Sequence, residues 1–148
     1  MKTALFLDID GVLNSEQYAK TLNRTMIING NGEFPDIDST AMEKLNTIIN
    51  QTDCDIILSS GWRFFPKIKE FLQDQGLCKS VADVTIGECY SRAEEVALYL
   101  QNHKYDKFVI VDDNDFDFTR RFPFNFVQTS FQDGLTDDKV EIIIKKLK

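Results

Sequence analysis

The 148-residue chain is poor in cysteine, proline and basic charge, and it has no long apolar run. Each scarcity removes a class of protein. The three cysteines, Cys54, Cys78 and Cys89, are odd in number and form no Cys-x-x-Cys pair. With no histidine beside them in sequence they read as packing residues, free thiols in a reducing compartment. The opening stretch MKTALFLD carries one lysine and a short apolar run that Asp8 interrupts. That is too short for a secretion signal and far too short for a membrane span, so no membrane partner and a cytoplasmic location are expected. Lys and Arg number 17 against 24 Asp and Glu, a net charge of −7. Phosphate contacts along a duplex need a surplus of cations, so an extensive nucleic-acid groove is not expected; a local site for one phosphate is compatible. No repeat, low-complexity tract or linker divides the chain, which reads as one domain over residues 1–148.

What is present suffices for a core: hydrophobic residues make up 43% and phenylalanine alone supplies 12 side chains. Five β-rich runs alternate with helical patterns. Residues 3–9, 55–60, 81–86, 107–113 and 125–129 read as strands. Residues 14–37 read as a long polar, glycine-containing loop, able to act as a small flap. A helix follows from Thr40 to Asn50, with Thr40 and Glu43 at capping-box spacing and Met42, Leu45, Ile48 and Ile49 on one face. A second helix has Pro66 near its first turn and Gly76 at its end. Ser91 and Glu94 open a third, with Ala93, Val96, Ala97 and Leu100 on one face. The last starts near Thr136 and buries Val140, Ile143, Ile144 and Leu147. Alternating strands and near-continuous apolar strand cores imply a three-layer α/β fold with a central parallel sheet of about five strands and helices on both faces.

The strongest strands end in Asp8, in Ser59-Ser60 and in Asp112-Asp113. In a parallel sheet all C-terminal strand ends share one edge, where open α/β sheets bind ligands. Several carboxylates and a hydroxyl therefore converge from distant positions. Such acids repel one another unless a cation sits among them, and oxygen ligands with open water positions suit Mg²⁺. Taken alone, DIDG (8–11) reads equally well as a strand running into a turn; with Asp112 and Asp113 at an equivalent strand end, the metal reading prevails. A calcium loop at DNDFDF (113–118) fails, because Phe118 stands where glycine is needed and Phe124 where the bidentate Glu is needed.

The segments FLDIDGVLN, IILSSGWR, SRAEEVALYL and VIVDDNDF resemble, in order, the four motifs of the haloacid dehalogenase (HAD) superfamily. More narrowly, LSSGWR, RAEEV…YL and DDNDF resemble the HAD domain found in Swiss-army-knife RNA repair proteins. The resemblance implies a Rossmann-like HAD-type core and a Mg²⁺-dependent phosphomonoesterase forming an aspartyl-phosphate. Under it, Asp8 is the nucleophile and Asp10 the acid and base. Asp8, the Asp10 backbone carbonyl, Asp112 and Asp113 hold or support the metal. Ser59 binds a phosphoryl oxygen, with Ser60 the alternative, and Gly61 and Arg63 border the substrate. Arg92 stands where the superfamily usually has a lysine, as a planar phosphate clamp; a surface arginine is the competing reading, although a helix N-terminus is a poor place for a cation.

About 45 residues separate Asp10 from the second strand, too few for a large cap domain, so an open site and a large substrate such as a polynucleotide end or a phosphoprotein are expected. The alternatives are a small-molecule phosphatase acting on nucleotides or sugar phosphates, and a non-catalytic HAD-like binding module, which the presence of both Asp8 and Asp10 disfavours. A dehalogenase is disfavoured by Asp10 as proton donor. Trp62 and Arg63 read equally well as a pair that stacks on or clamps a substrate and as a packed Trp beside a solvated Arg. Arg120, Arg121 and His103 read as solvated, and Lys145, Lys146 and Lys148 as suited to a helix C-terminus.

Overall fold

Five parallel strands, β1 (Thr3–Leu7), β2 (Asp55–Leu58), β3 (Asp83–Val84), β4 (Lys107–Asp112) and β5 (Phe126–Gln128), hydrogen-bond in the order β3-β2-β1-β4-β5. The structure is a computed structural model that describes residues 1–23, 36–87 and 89–148. Around the sheet lie helices α1 (Glu16–Thr21), α2 (Ser39–Thr52), α3 (Ile68–Asp74), α4 (Arg92–Asn102), α5 (Phe118–Arg121) and α6 (Asp137–Leu147), with a 3₁₀ turn at Gly61–Phe64.

Strand alternation divides the core. Leu5, Leu7, Ile56, Leu58, Val109 and Val111 turn one way, onto α2, α3 and α6. Ala4, Phe6, Ile57 and Ile110 turn the other way, onto Ala93, Val96 and Tyr99 of α4 and Phe118 of α5. Both faces are covered, which is why the strands read as almost unbroken apolar runs. Phe6, fully buried, meets Tyr99 and Phe108 edge-on at 5.7 and 6.0 Å. Burying such a ring is worth about 2–3 kcal/mol. The fold is the expected three-layer, Rossmann-like α/β architecture.

The strand order fixes the site. From β1 the chain moves outward to β2 and β3, then returns to place β4 on the other side of β1. The crevice beyond the C-terminal ends of β1 and β4 is therefore the switch point of the sheet, where this class of fold takes its ligands. Strand ends are shorter than their apolar runs, but the ladder continues: Asp8 donates its N–H to the Val111 carbonyl at 3.1 Å, and Ser59 to Leu7 at 2.9 Å. On the β3 edge, Ala82 and Thr85 bond to Ile56 and Leu58 at 2.9 and 3.0 Å, so the expected strand over 81–86 survives as a short ladder segment.

Two local expectations are corrected. The loop expected over 14–37 contains α1, because Ser15 in an extended conformation accepts the Tyr18 N–H at 3.1 Å and caps a helix. Residues 24–35, half of the expected flap, lie outside the described residues. Helix α2 is capped by Asp38, whose carboxylate accepts the Thr40 N–H at 2.9 Å, and not by a Thr40–Glu43 box. The Ser91 cap of α4 forms as expected, accepting the Glu94 N–H at 3.2 Å. Between β2 and α4 the described residues form only the 3₁₀ turn, α3 and β3.

Candidate active site

Carboxylate oxygens of Asp8, Asp112 and Asp113 lie within 4.8 Å of one another at the switch point. Asp8 is buried and Asp112 fully so. Burial is the main cause that holds both carboxyls well above the ordinary carboxylate range; the Asp113 charge adds to the shift of Asp8, and the Asp8 charge to that of Asp112. Asp112 Oδ1 accepts the Asn114 N–H at 2.9 Å, whereas Oδ2 is buried without a hydrogen-bond partner. A buried carboxylate oxygen left unmatched costs several kcal/mol. Three clustered oxygen donors with one of them unsatisfied are the donor set of a hard divalent cation, so the residues fit such an ion.

Gly11 is part of this construction. Its φ is +80°, and a Cβ there would overlap the Asp113 carboxylate. The glycine of DIDG thus serves two purposes, turning the chain out of β1 and leaving room for the acid that arrives from β4.

Asp10 is held apart from the cluster. Asn14 Nδ2 donates to its Oδ1 at 2.9 Å and Trp62 Nε1 to its Oδ2 at 2.6 Å. Asn14 Oδ1 in turn accepts the Gly11 N–H at 2.8 Å, closing the loop on itself. Partial burial pushes the Asp10 carboxyl above its usual range, against the two hydrogen bonds. Both Asp10 carboxylate oxygens are thus held by hydrogen bonds from neighbouring side chains.

After β2 the chain turns sharply. Ser59 is wholly buried with an unpartnered Oγ, and Ser60 Oγ accepts the Trp62 N–H at 3.2 Å to cap the 3₁₀ turn. Gly61 is exposed, and a Cβ there would meet nothing within 4 Å. Arg63, expected at the substrate border, is buried beneath it instead. Its Nη1 donates to the Ser60 carbonyl at 2.7 Å and its Nη2 to Glu95 Oε2 at 2.9 Å. The 3₁₀ turn, rather than an extended loop, carries the guanidinium inward. Trp62 is buried and packs on Phe65 with ring centroids 4.9 Å apart, so it is a packed residue whose indole N–H reaches the site.

Arg92 opens α4. Its Nη1 donates to the Ser59 carbonyl, its Nε lies 3.7 Å from Glu95 Oε2, and its guanidinium sits 4.8 Å from the centroid of the Phe116 ring. Asp8, Asp10, Ser60, Gly61, Arg92 and Asp113 share one cleft of about 440 Å³, with Trp62, Phe65, Phe116 and Phe131 among its walls. Phe116 is 40% exposed and sits at φ +46°, followed by Asp117 at +71°, a strained pair that sets the ring at the rim.

His103 lies at the far end of α4, stacked on Tyr99 with centroids 4.0 Å apart, away from the cleft. Asn14, Glu95 and Phe116 were not foreseen. The nearest signal was positional for Glu95, an acid between Ala93 and Val96 on the buried stripe of α4. Among the described residues no helix is long and apolar enough to cross a membrane.

Comparison with known proteins shows the family. No curated protein and no solved structure matches the chain. A family model does: the one described as the HAD domain in Swiss Army Knife RNA repair proteins matches residues 4–140, from within β1 into α6. Its match takes in every strand and each of the clustered acids, and the chain belongs to that family.

Proposed function

We propose that the protein is a Mg²⁺-dependent phosphomonoesterase that works through an aspartyl-phosphate and acts on a terminal phosphate of RNA or DNA. The observation that carries the reading is the cluster of Asp8, Asp112 and Asp113 with Asp10 and Arg92 on the same cleft. The carboxylates of Asp8, Asp112 and Asp113 and the Asp10 carbonyl would hold Mg²⁺, which would supply neutralisation of the negative charge of nucleophile and phosphoryl group. An Asp8 carboxylate oxygen attacks phosphorus and the phosphorus–ester oxygen bond breaks. Asp10 gives its proton to the departing oxygen. A water then attacks the aspartyl-phosphate and loses its proton to Asp10, which regenerates the Asp8 carboxylate and releases phosphate. Ser60, on the cleft wall, is the hydrogen-bond donor for a phosphoryl oxygen in place of the wholly buried Ser59, and Arg92 is the clamp.

A base-bearing substrate is supported by the aromatic walls. Phe65, Phe116 and Phe131 beside an acidic, metal-binding floor fit a flat ring attached to a phosphate better than a sugar rich in hydroxyls. The net charge of −7 counts against contact along a strand beyond its terminal phosphate. A small nucleotide satisfies the same walls, which makes nucleotide hydrolysis the second reading.

Phosphate release with Mg²⁺ from 3′- and 5′-phosphorylated oligonucleotides, beside mononucleotides and sugar phosphates, tests both. Turnover of oligonucleotide ends, lost in Asp8→Asn, is the expected result. Turnover of small metabolites alone would remove the polynucleotide assignment. No turnover of any ester would leave a phosphate-binding HAD-like module.

A further inference from the structure

We infer that Glu95 is a positioning residue that, together with Arg63, holds the Arg92 guanidinium on the cleft wall in the orientation a phosphoryl group needs. This rests on the reading of Arg92 as a phosphate clamp. Glu95 is 6% exposed and its Oε2 meets both arginines, Arg63 Nη2 at 2.9 Å and Arg92 Nε at 3.7 Å. Two guanidiniums share one carboxylate, so the triad carries one surplus positive charge. The closer pairing neutralises Glu95 against Arg63, which is buried; the surplus belongs to Arg92, the member that lines the cleft.

Three physical features argue that the triad is there for placement. A buried ion pair gives little net stability over apolar residues of similar size, because desolvating the charges offsets their attraction. A cation in the first turn of a helix sits against the helix dipole, and Glu95 in the same turn supplies the opposite charge that holds it there. Both arginines also grip the turn after β2: Arg92 bonds the Ser59 carbonyl, and Arg63 bonds the Ser60 carbonyl at 2.7 Å and reaches Ser59 at 3.4 Å. The triad therefore ties the start of α4 to the Ser59-Ser60 turn, coupling the clamp to the Ser60 hydroxyl expected to bind the same phosphate. Phe116 completes the support from the outer side, its ring face 4.8 Å from the guanidinium.

The test is a double-mutant comparison on a simple aryl phosphate with Mg²⁺, joined to nitrogen-resolved NMR of the arginine Nε–H signals. Glu95→Gln is expected to lower kcat/KM at least tenfold, yet to cost less than twofold when made in Arg92→Ala. In the NMR spectrum the Arg92 signal of the unaltered protein is expected to be sharp and restrained, and to collapse toward the free-rotating position in Glu95→Gln. Equal losses in both backgrounds, or an Arg92 signal unmoved by the substitution, would overturn the inference. Arg92→Lys, on the cleft wall, covers the case in which Glu95→Gln does not fold. It keeps the charge without the fork, and kcat/KM equal to that of the parent would refute the requirement for orientation. If the parent hydrolyses no phosphate ester, the proposed function falls while the NMR signal still decides the role of Glu95.

Discussion

The indole N–H of Trp62 donates to Asp10 Oδ2 at 2.6 Å, across a sequence separation of 52. It joins the turn after β2 to the loop after β1 and, with Asn14, fixes the carboxyl proposed as acid and base.

That bond stabilises the charged form of Asp10, so its removal raises the Asp10 pKa further. Trp62→Phe is expected to move the basic limb of the kcat/KM profile to higher pH, by about one unit for a bond worth roughly 1.4 kcal/mol. The pH–rate profile of the variant checks this. A limb that stays in place would detach Asp10 from the proton transfer.

Asp8 and Asp112 bind their protons more tightly in the folded protein than in the unfolded chain. Without metal, stability is therefore lost as the pH rises from about 4 through the folded pKa values. Asp112→Asn should raise the melting temperature of the metal-free protein at pH 7 and leave it unchanged near pH 3. Mg²⁺ should raise the melting temperature of the parent and do little for the variant. Scanning calorimetry with chelator and with millimolar Mg²⁺ measures each. A variant less stable than the parent in chelator would mean that burial and neighbouring charge do not penalise the ionised Asp112.

Asp8→Asn removes the proposed nucleophile while conserving shape. Turnover should fall by roughly a thousandfold or more, with the circular dichroism spectrum retained. Residual turnover near the parental level would refute the aspartyl-phosphate.

Gly11→Ala places a methyl group against the Asp113 carboxylate at a φ of +80°. The expected loss is about 1–3 kcal/mol of stability, together with weaker Mg²⁺ binding because Asp113 must move aside. Denaturant titration and metal-binding calorimetry separate the two effects. Unchanged metal affinity would show that Asp113 does not depend on the space that Gly11 leaves.

Strand and helix positions were legible because local rules decide them. A sheet buried on both faces demands apolar runs, and those of residues 4–7, 56–58 and 108–111 stand out; caps such as Ser91 announce helix starts. Convergence of Asp8 with Asp112 followed from a general property, that parallel strands present their C-terminal ends to one edge. The short helix α1 was hidden because six residues leave little periodicity to detect.

Two matters belonged to tertiary structure alone. Arg63 and Arg92 look alike in the sequence, each beside a serine-containing turn. A 3₁₀ turn carries Arg63 under the site to a buried Glu95, whereas the first turn of α4 sets Arg92 on the cleft wall. The hydrogen bonds on Asp10 likewise come from a tryptophan whose direction depends on packing against Phe65. Which acids lie at the rim follows from chain order and strand periodicity. Which partners they meet depends on side-chain directions set by contacts between elements far apart in the chain, and no local rule encodes those.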